Sequence, residues 1–168
     1  MKRILLYAAA IALCPSAMTG SRAQAREKTS SSSARQSIDA LNQKEAAACM
    51  SMDHAASAAL WADDGVDLIQ GLAPMIGKQA ISSWYNSLAP LETGAKMEYC
   101  TIDWQAIKIQ GDWAWEWGIN RQKIDFPAPR KPFVGEGKIL LILKKQSGGE
   151  WKIELESWNS NPPAKAAQ

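Results

Sequence analysis

Histidine is nearly absent from this chain: His54 is the only one among 168 residues. That scarcity excludes Ser-His-Asp triads, HExxH zinc sites and His-rich metal centres together, so no metal is expected. Walker-type and G-x-G-x-x-G loops are missing as well, and the 11 glycines read as turn residues. No cofactor is therefore expected. An excess of one charge is also lacking. The formal net charge is +2, but Lys2, Arg3 and Arg22 fall within residues 1–25, which contain no acid. The remainder carries 16 basic against 17 acidic side chains. A near-neutral chain gives no electrostatic footprint for nucleic acid or an anionic membrane. Only one long apolar run exists, Ile4–Leu13, and it is too short to span a bilayer.

What is there begins with that run. Lys2-Arg3 precede it and Ala23-Gln24-Ala25 follow, the pattern of a secretory signal cleaved after Ala25. Residues 1–25 are thus expected to be a signal peptide. The rest should be exported, periplasmic or secreted, and free of the membrane after cleavage. Leu13 before Cys14 argues against a lipoprotein signal, which carries a small residue there. Cys49 and Cys100 survive cleavage, and an oxidising compartment would let them pair. Two buried free thiols are the other reading, and the sequence leaves both open.

Hydrophobic residues make up 46% and charged residues 21%, which suits one packed domain. Residues 26–36, with a serine run, read as a flexible leader, residues 37–161 as the domain, and residues 162–168, opening on Pro162-Pro163, as a disordered tail. Ser33 and Gln36 have capping-box spacing before a helix over Ala34–Met52. Ile38, Leu41, Ala48 and Met52 form its stripe, with Glu45 falling on it. Asp53 caps a second helix, His54–Ala62, ending at Gly65, with His54 in an exposed first turn. Val66–Gln70 is a short strand. Lys78–Leu88 is the clearest helix, with Ile81, Trp84, Tyr85 and Leu88 at i, i+3, i+4, i+7 and Pro90 stopping it. Phe133–Gln146 and Trp151–Ser160 are strands. The apolar centre of the first, Ile139–Leu143, is continuous and predicts cover on both faces. The order predicts an α+β fold: a curved antiparallel sheet closed on one side by about three helices into a cone with a pocket.

Between these elements lies a long hairpin, Met97–Ile124, turning at Gly111-Asp112. A regular ladder from that turn sets Gln110 opposite Trp113, Ala106 opposite Trp117, Trp104 opposite Ile119 and Asp103 opposite Asn120. One face then carries Cys100, Ile102, Trp104, Trp113, Trp115 and Trp117, with Arg121 near its end. The other carries Asp103, Ala114, Glu116, Gly118 and Asn120. Burying indoles is favourable at roughly 25 cal/mol per Å², whereas burying Glu116 unpaired is costly. The balance predicts Trp inward and Glu116 outward. Ala114 and Gly118 weigh the other way, since small residues suit a helix crossing close over their face. Glu116 and Asp103 are the candidate catalytic acids, because a carboxylate in an apolar pocket gains a raised pKa and serves as a general base or acid.

Four stretches, in order, resemble the SnoaL-like and ketosteroid-isomerase-like proteins of the nuclear transport factor two superfamily. They are Asp53 with Ala59-Leu60-Trp61-Ala62-Asp63-Asp64; Ile76-Gly77-Lys78-Gln79-Ala80-Ile81 with Trp84-Tyr85; Gly111-Asp112-Trp113-Ala114 with Gly118; and Trp151-Lys152-Ile153 with Trp158-Asn159-Ser160. The resemblance implies a cone with a deep apolar pocket and a homodimer through the outer sheet face. It leaves the activity open, since the superfamily holds isomerases, cyclases, epoxide hydrolases, dehydratases, binders and assembly domains. The isomerases pair a carboxylate base with Tyr and a protonated Asp, but Ser37–Met52 contains no Tyr. Candidate ligand-binding residues are Tyr85, Trp104, Trp115, Trp117, Arg121, Trp158 and Asn159. Arg121 would hold an anionic group and Asn159 a carbonyl. The expected partner is a small apolar or amphipathic molecule. A lyase, isomerase or hydrolase and a non-catalytic dimerisation module are the alternatives.

Overall fold

The computed structural model describes the backbone of residues 19–161 and the side chains from residue 31 onward. Most of the expected signal segment and the whole expected tail lie outside the described residues. Helix α1 spans Thr19–Ser51. It starts well before Ala34 and runs through the stretch read as a leader, so Ser33 is interior rather than a cap. Its stripe is as read: Ile38, Leu41 and Ala48 are buried. Met52, at φ 53°, ends the helix in the left-handed region. Asp53 then caps α2, His54–Ala59, accepting from the Ala56 N–H at 2.9 Å.

The second helix is shorter than predicted because Trp61 and Ala62 join strand β1, Trp61–Ile69. Trp61 pairs with Ile153, and the Ile153 N–H donates to the Leu60 carbonyl at 3.0 Å. Gly65 lies inside β1, where a Cβ would meet the Trp61 ring at 2.9 Å. After the short β2, Met75–Ile76, comes α3, Lys78–Leu88, with the predicted bounds. A 3₁₀ turn, Ala89–Glu92, follows where Pro90 stops the helix. Strands β3 (Lys96–Gln110) and β4 (Trp113–Asp125) form the hairpin, with Gly111 at φ 60° in its two-residue turn. Strands β5 (Phe133–Lys145) and β6 (Trp151–Ser160) complete the chain.

The six strands form one mixed sheet in the order β2-β1-β6-β5-β4-β3. The β1–β6 pair is parallel, and the other pairs are antiparallel. The fold is the expected α+β cone, with the helices on the concave face. The core joins Ile38 and Leu41 of α1 and Ile81 of α3 to Trp61, Leu141, Leu143 and Ile153 of the sheet.

Four register shifts decide which side chains enter the cone. Near the turn the ladder is as predicted: Gln110 pairs with Trp113 and Ala106 with Trp117. A bulge then falls between Trp104 and Ala106, so Trp104 pairs with Gly118 and Asp103 with Ile119. One extra residue in β3, Gln105, puts residues 99–104 on the faces opposite to those of strict alternation, and a second shift between Met97 and Tyr99 ends the reversal. Cys100, Ile102 and Trp104 therefore share a face with Ala114, Glu116 and Asn120, and that face looks inward. The same device recurs in β6 between Ile153 and Leu155 and in β1 between Trp61 and Val66.

The predicted orientation of β4 is thereby reversed. Glu116 is 1% exposed, while Trp113, Trp115 and Trp117 are 46%, 41% and 39% exposed. The two considerations read from sequence were unequal. Ala114 and the glycine at 118 give the inner face its close approach: a Cβ on Gly118 would lie 2.8 Å from the Asp103 carbonyl oxygen. Bulky indoles fit on the convex side. The outer face of β5 is also open, with Leu140 38% exposed, so Ile139–Leu143 is covered on one face only within the chain.

Candidate functional site

Between the helices and the concave sheet lies a cavity of about 360 Å³. Its wall is mostly apolar, with Ile69, Leu88, Ile102, Ile124 and Ile139 among its contributors. Besides Glu92, which pairs with His54, three acids reach it: Glu45 from α1, Asp67 from β1 and Glu156 from β6. Asp67 and Glu156 are register partners on neighbouring parallel strands, so their side chains leave the sheet side by side. Glu45 comes down from the helix opposite.

These acids are poorly satisfied. Asp67 is 1% exposed, and its Oδ1 has no hydrogen-bond partner among the described residues; the same holds for the buried Glu45 Oε2. Burial pushes the Asp67 carboxyl up to about 6, partly offset by the Leu68 backbone N–H. Glu45 is pushed up to about 8, by burial first and by the nearby Glu116 second. Glu156 also rises well above the usual carboxylate range, again through burial, then Glu45 and Asp67. Like charges in one apolar hollow cannot all ionise, so the group holds protons at neutral pH.

Tyr85 of α3 completes the polar wall. Burial, then Glu156, Asp67 and Glu45, raise its pKa well above 10, against a weaker opposing contact from Trp61. It stays a phenol. His54 stacks on it at 5.9 Å between ring centroids, and the imidazole Nε2 lies 2.7 Å from Glu92 Oε2. His54 is thus mostly covered, with 16% of its side chain exposed, rather than open in a first turn. Trp158 lies on the wall with its indole N–H donating to Asn120 Oδ1 at 3.3 Å. The disulfide Cys49–Cys100 also forms part of the wall, tying α1 to β3.

Of the residues singled out from sequence, Tyr85 and Trp158 line the cavity. Glu116 points inward but sits behind the wall. Asn42 Nδ2 donates to its Oε2 at 3.0 Å, while its Oε1 is buried without a partner among the described residues. Burial raises it to about 7, against that hydrogen bond. Trp104 packs half-buried on the inner core. Asp103, Trp115, Trp117 and Arg121 lie on the outer face and are corrected accordingly. Arg121 is 46% exposed and donates to Glu136 at 2.7 Å, so it holds no group in the cavity. Asn159, opposite Lys138, also faces outward.

Glu45, Asp67 and Glu156 were missed as a group. One signal for Glu45 was present: it interrupts an otherwise apolar helical stripe. Glu156 carried a misleading one. Strict alternation with Ile153 and Leu155 sets it outward, and only the bulge at Glu154 returns it to the face of Ile153.

Among the described residues no cluster of His, Cys, Asp and Glu has the geometry to hold a metal ion, and no helix is long and apolar enough to cross a membrane. No protein-family model matches the sequence, and no curated protein matches it. Solved structures do match the fold. A ketosteroid isomerase-like protein from Erwinia carotovora atroseptica superposes with TM-score 0.64 at 20% identity, over 75% of this chain and 95% of that one. An NTF2-like protein of unknown function from Pseudomonas putida gives TM-score 0.66 at 22% identity, over 80% and 91%. A protein from Catenulispora acidiphila, solved in complex with S-DNPA, gives 0.64 at 14% identity, over 77% and 94%.

Proposed function

Because the chain has the cone fold of the NTF2-like, ketosteroid isomerase-like proteins, we propose that it is an exported protein that binds a small, largely apolar molecule in its cavity. One observation carries this reading. The cavity of about 360 Å³ is walled mainly by apolar side chains, yet offers Asp67 Oδ1 and Glu45 Oε2 without partners among the described residues. Buried polar atoms left unpaired are costly, and a ligand with one polar end satisfies them while its body covers apolar wall. Each 100 Å² of apolar surface so covered contributes about 2.5 kcal/mol before binding entropy. The S-DNPA complex of the Catenulispora protein adds support that this fold accommodates a small molecule.

A second reading, proton-transfer catalysis, is favoured by Asp67 itself. With its pKa near 6 it exchanges protons readily around neutrality. Glu156 on the next strand stays protonated, and Tyr85 supplies a phenol donor. A base, an acid and a hydrogen-bond donor against one apolar hollow suit a lyase, isomerase or hydrolase.

Both readings are tested by tryptophan fluorescence and thermal shift with a panel of apolar compounds, since Trp61, Trp84 and Trp158 line the wall. Binding predicts signals that Ile124→Trp, which fills part of the cavity, abolishes. Catalysis predicts turnover that Asp67→Asn removes while binding survives. A panel that leaves both signals flat sinks the binding reading.

Export is supported by the Cys49–Cys100 disulfide together with the amino-terminal pattern. A homodimer is supported by the outer face, where Trp113, Trp115, Trp117 and Leu140 make an exposed apolar stripe.

A further inference from the structure

We propose that the cavity selects a cation, a protonated amine at one end of an apolar body. The inference rests on the binding reading above and deepens it by naming the ligand class. Its ground is the imbalance of the wall. Glu45, Asp67, Glu92 and Glu156 reach the cavity, and among the described residues that line it there is no Lys or Arg. The one side chain able to carry positive charge, His54, is engaged with Glu92 at 2.7 Å.

An ammonium group has three donors and no acceptor. That inventory matches a floor of acceptors, two of which are buried oxygens with no partner among the described residues. An anionic ligand brings its charge into a hollow lined by four acids. A neutral alcohol has one donor to offer them where the ammonium has three. Trp84, Tyr85 and Trp158 surround the space, and their ring faces attract a cation further. Trp158 is held in place by Asn120. Met97, Ile124 and Phe133 supply apolar wall, so the hydrocarbon lies against them and the charged end against the acids.

The proton balance follows. The groups facing Asp67 are Glu156 from the adjacent strand, Glu45 from α1 and Tyr85 from α3, with His54 and Glu92 on the same cavity wall. The acids among them carry protons because burial penalises their charge. An entering ammonium supplies the compensating charge instead, and a carboxyl releases its proton to solvent. Amine binding therefore releases part of a proton near pH 7 and tightens as pH rises from 5.5 to 8.

Isothermal titration of the purified protein with 4-phenylbutylamine, 4-phenylbutan-1-ol and 4-phenylbutanoate tests this with three molecules of one shape. The amine should bind at least about tenfold tighter than the alcohol at pH 7, and the carboxylate at least about tenfold weaker than the alcohol. Titrations in buffers of different ionisation heat should show proton release with the amine and none with the alcohol. In Asp67→Asn and Glu156→Gln the preference for the amine should shrink to about threefold or less. The wild-type comparison stands even where a variant does not fold. Alcohol binding as tight as amine binding, or tight binding of the carboxylate, overturns the cation inference and leaves the binding reading intact. Silence from all three overturns both.

Discussion

At Glu116 a carboxyl and an amide face each other across α1 and β4, and each has one oxygen left over. Asn42 donates to Glu116 Oε2, while Asn42 Oδ1 and Glu116 Oε1 are buried without partners among the described residues. A glutamine at 116 would keep the first bond and offer an N–H to the orphaned Asn42 oxygen. Raised acids also set the sign of the pH dependence. Glu116 moves from 4.5 to about 7, Glu45 from 4.5 to about 8 and Asp67 from 3.8 to about 6. The folded state binds these protons more tightly than the unfolded chain, so their stabilisation is complete below about pH 4. It declines as pH rises through 6 to 8. The melting temperature should therefore fall between pH 5.5 and 8.5. Glu116→Gln should flatten part of that fall and raise Tm at pH 8 by roughly 5 °C. Calorimetry across that range decides the point; a flat wild-type profile with a less stable variant would refute it.

Bulges are the elements that most shape the site and are the hardest to see in a sequence. The helix over Lys78–Leu88 and the turn at Gly111-Asp112 were legible because a 3.6-residue stripe, a stopping proline and a glycine turn are local signals. The face of each strand was not. An inserted residue such as Gln105 or Glu154 has no distinctive side chain, yet it inverts the strand beyond it until the next bulge. Charge inside an apolar stripe, as at Glu45, proved the better pointer to the cavity. Deleting Gln105 should remove the bulge and leave Trp104 opposite Gly118 and Cys100 toward α1. The expected product keeps the Cys49–Cys100 bond and a stable fold; free thiols found by labelling and mass spectrometry would refute this. The disulfide itself closes a separation of 51 residues, worth about 4 kcal/mol by chain entropy. Replacing both cysteines by serine should lower the urea midpoint substantially, and dithiothreitol should do the same to the wild type. If neither moves the midpoint, the link adds nothing to stability.

On the scale of the whole molecule, two apolar surfaces have different fates. The concave one is closed by helices into the cavity. The convex one shows Trp113, Trp115 and Trp117 to solvent in the single chain, and a patch of that kind usually meets a partner. Sedimentation velocity should find a dimer at micromolar concentration. Trp115→Lys with Trp117→Lys should give monomers whose cavity still binds. A monomeric wild type would reject the dimer. The order of the strands has one more consequence. Strand β6 is synthesised after the other five described strands, yet it lies between β1 and β5 in the middle of the sheet, and it carries Glu156 to its place beside Asp67. A nascent chain stopped at residue 150 would have its sheet cut into two unattached halves. A stop codon just before residue 151 thus removes the central plank, and the ribosome must release residues 151–160 before the acidic floor can assemble.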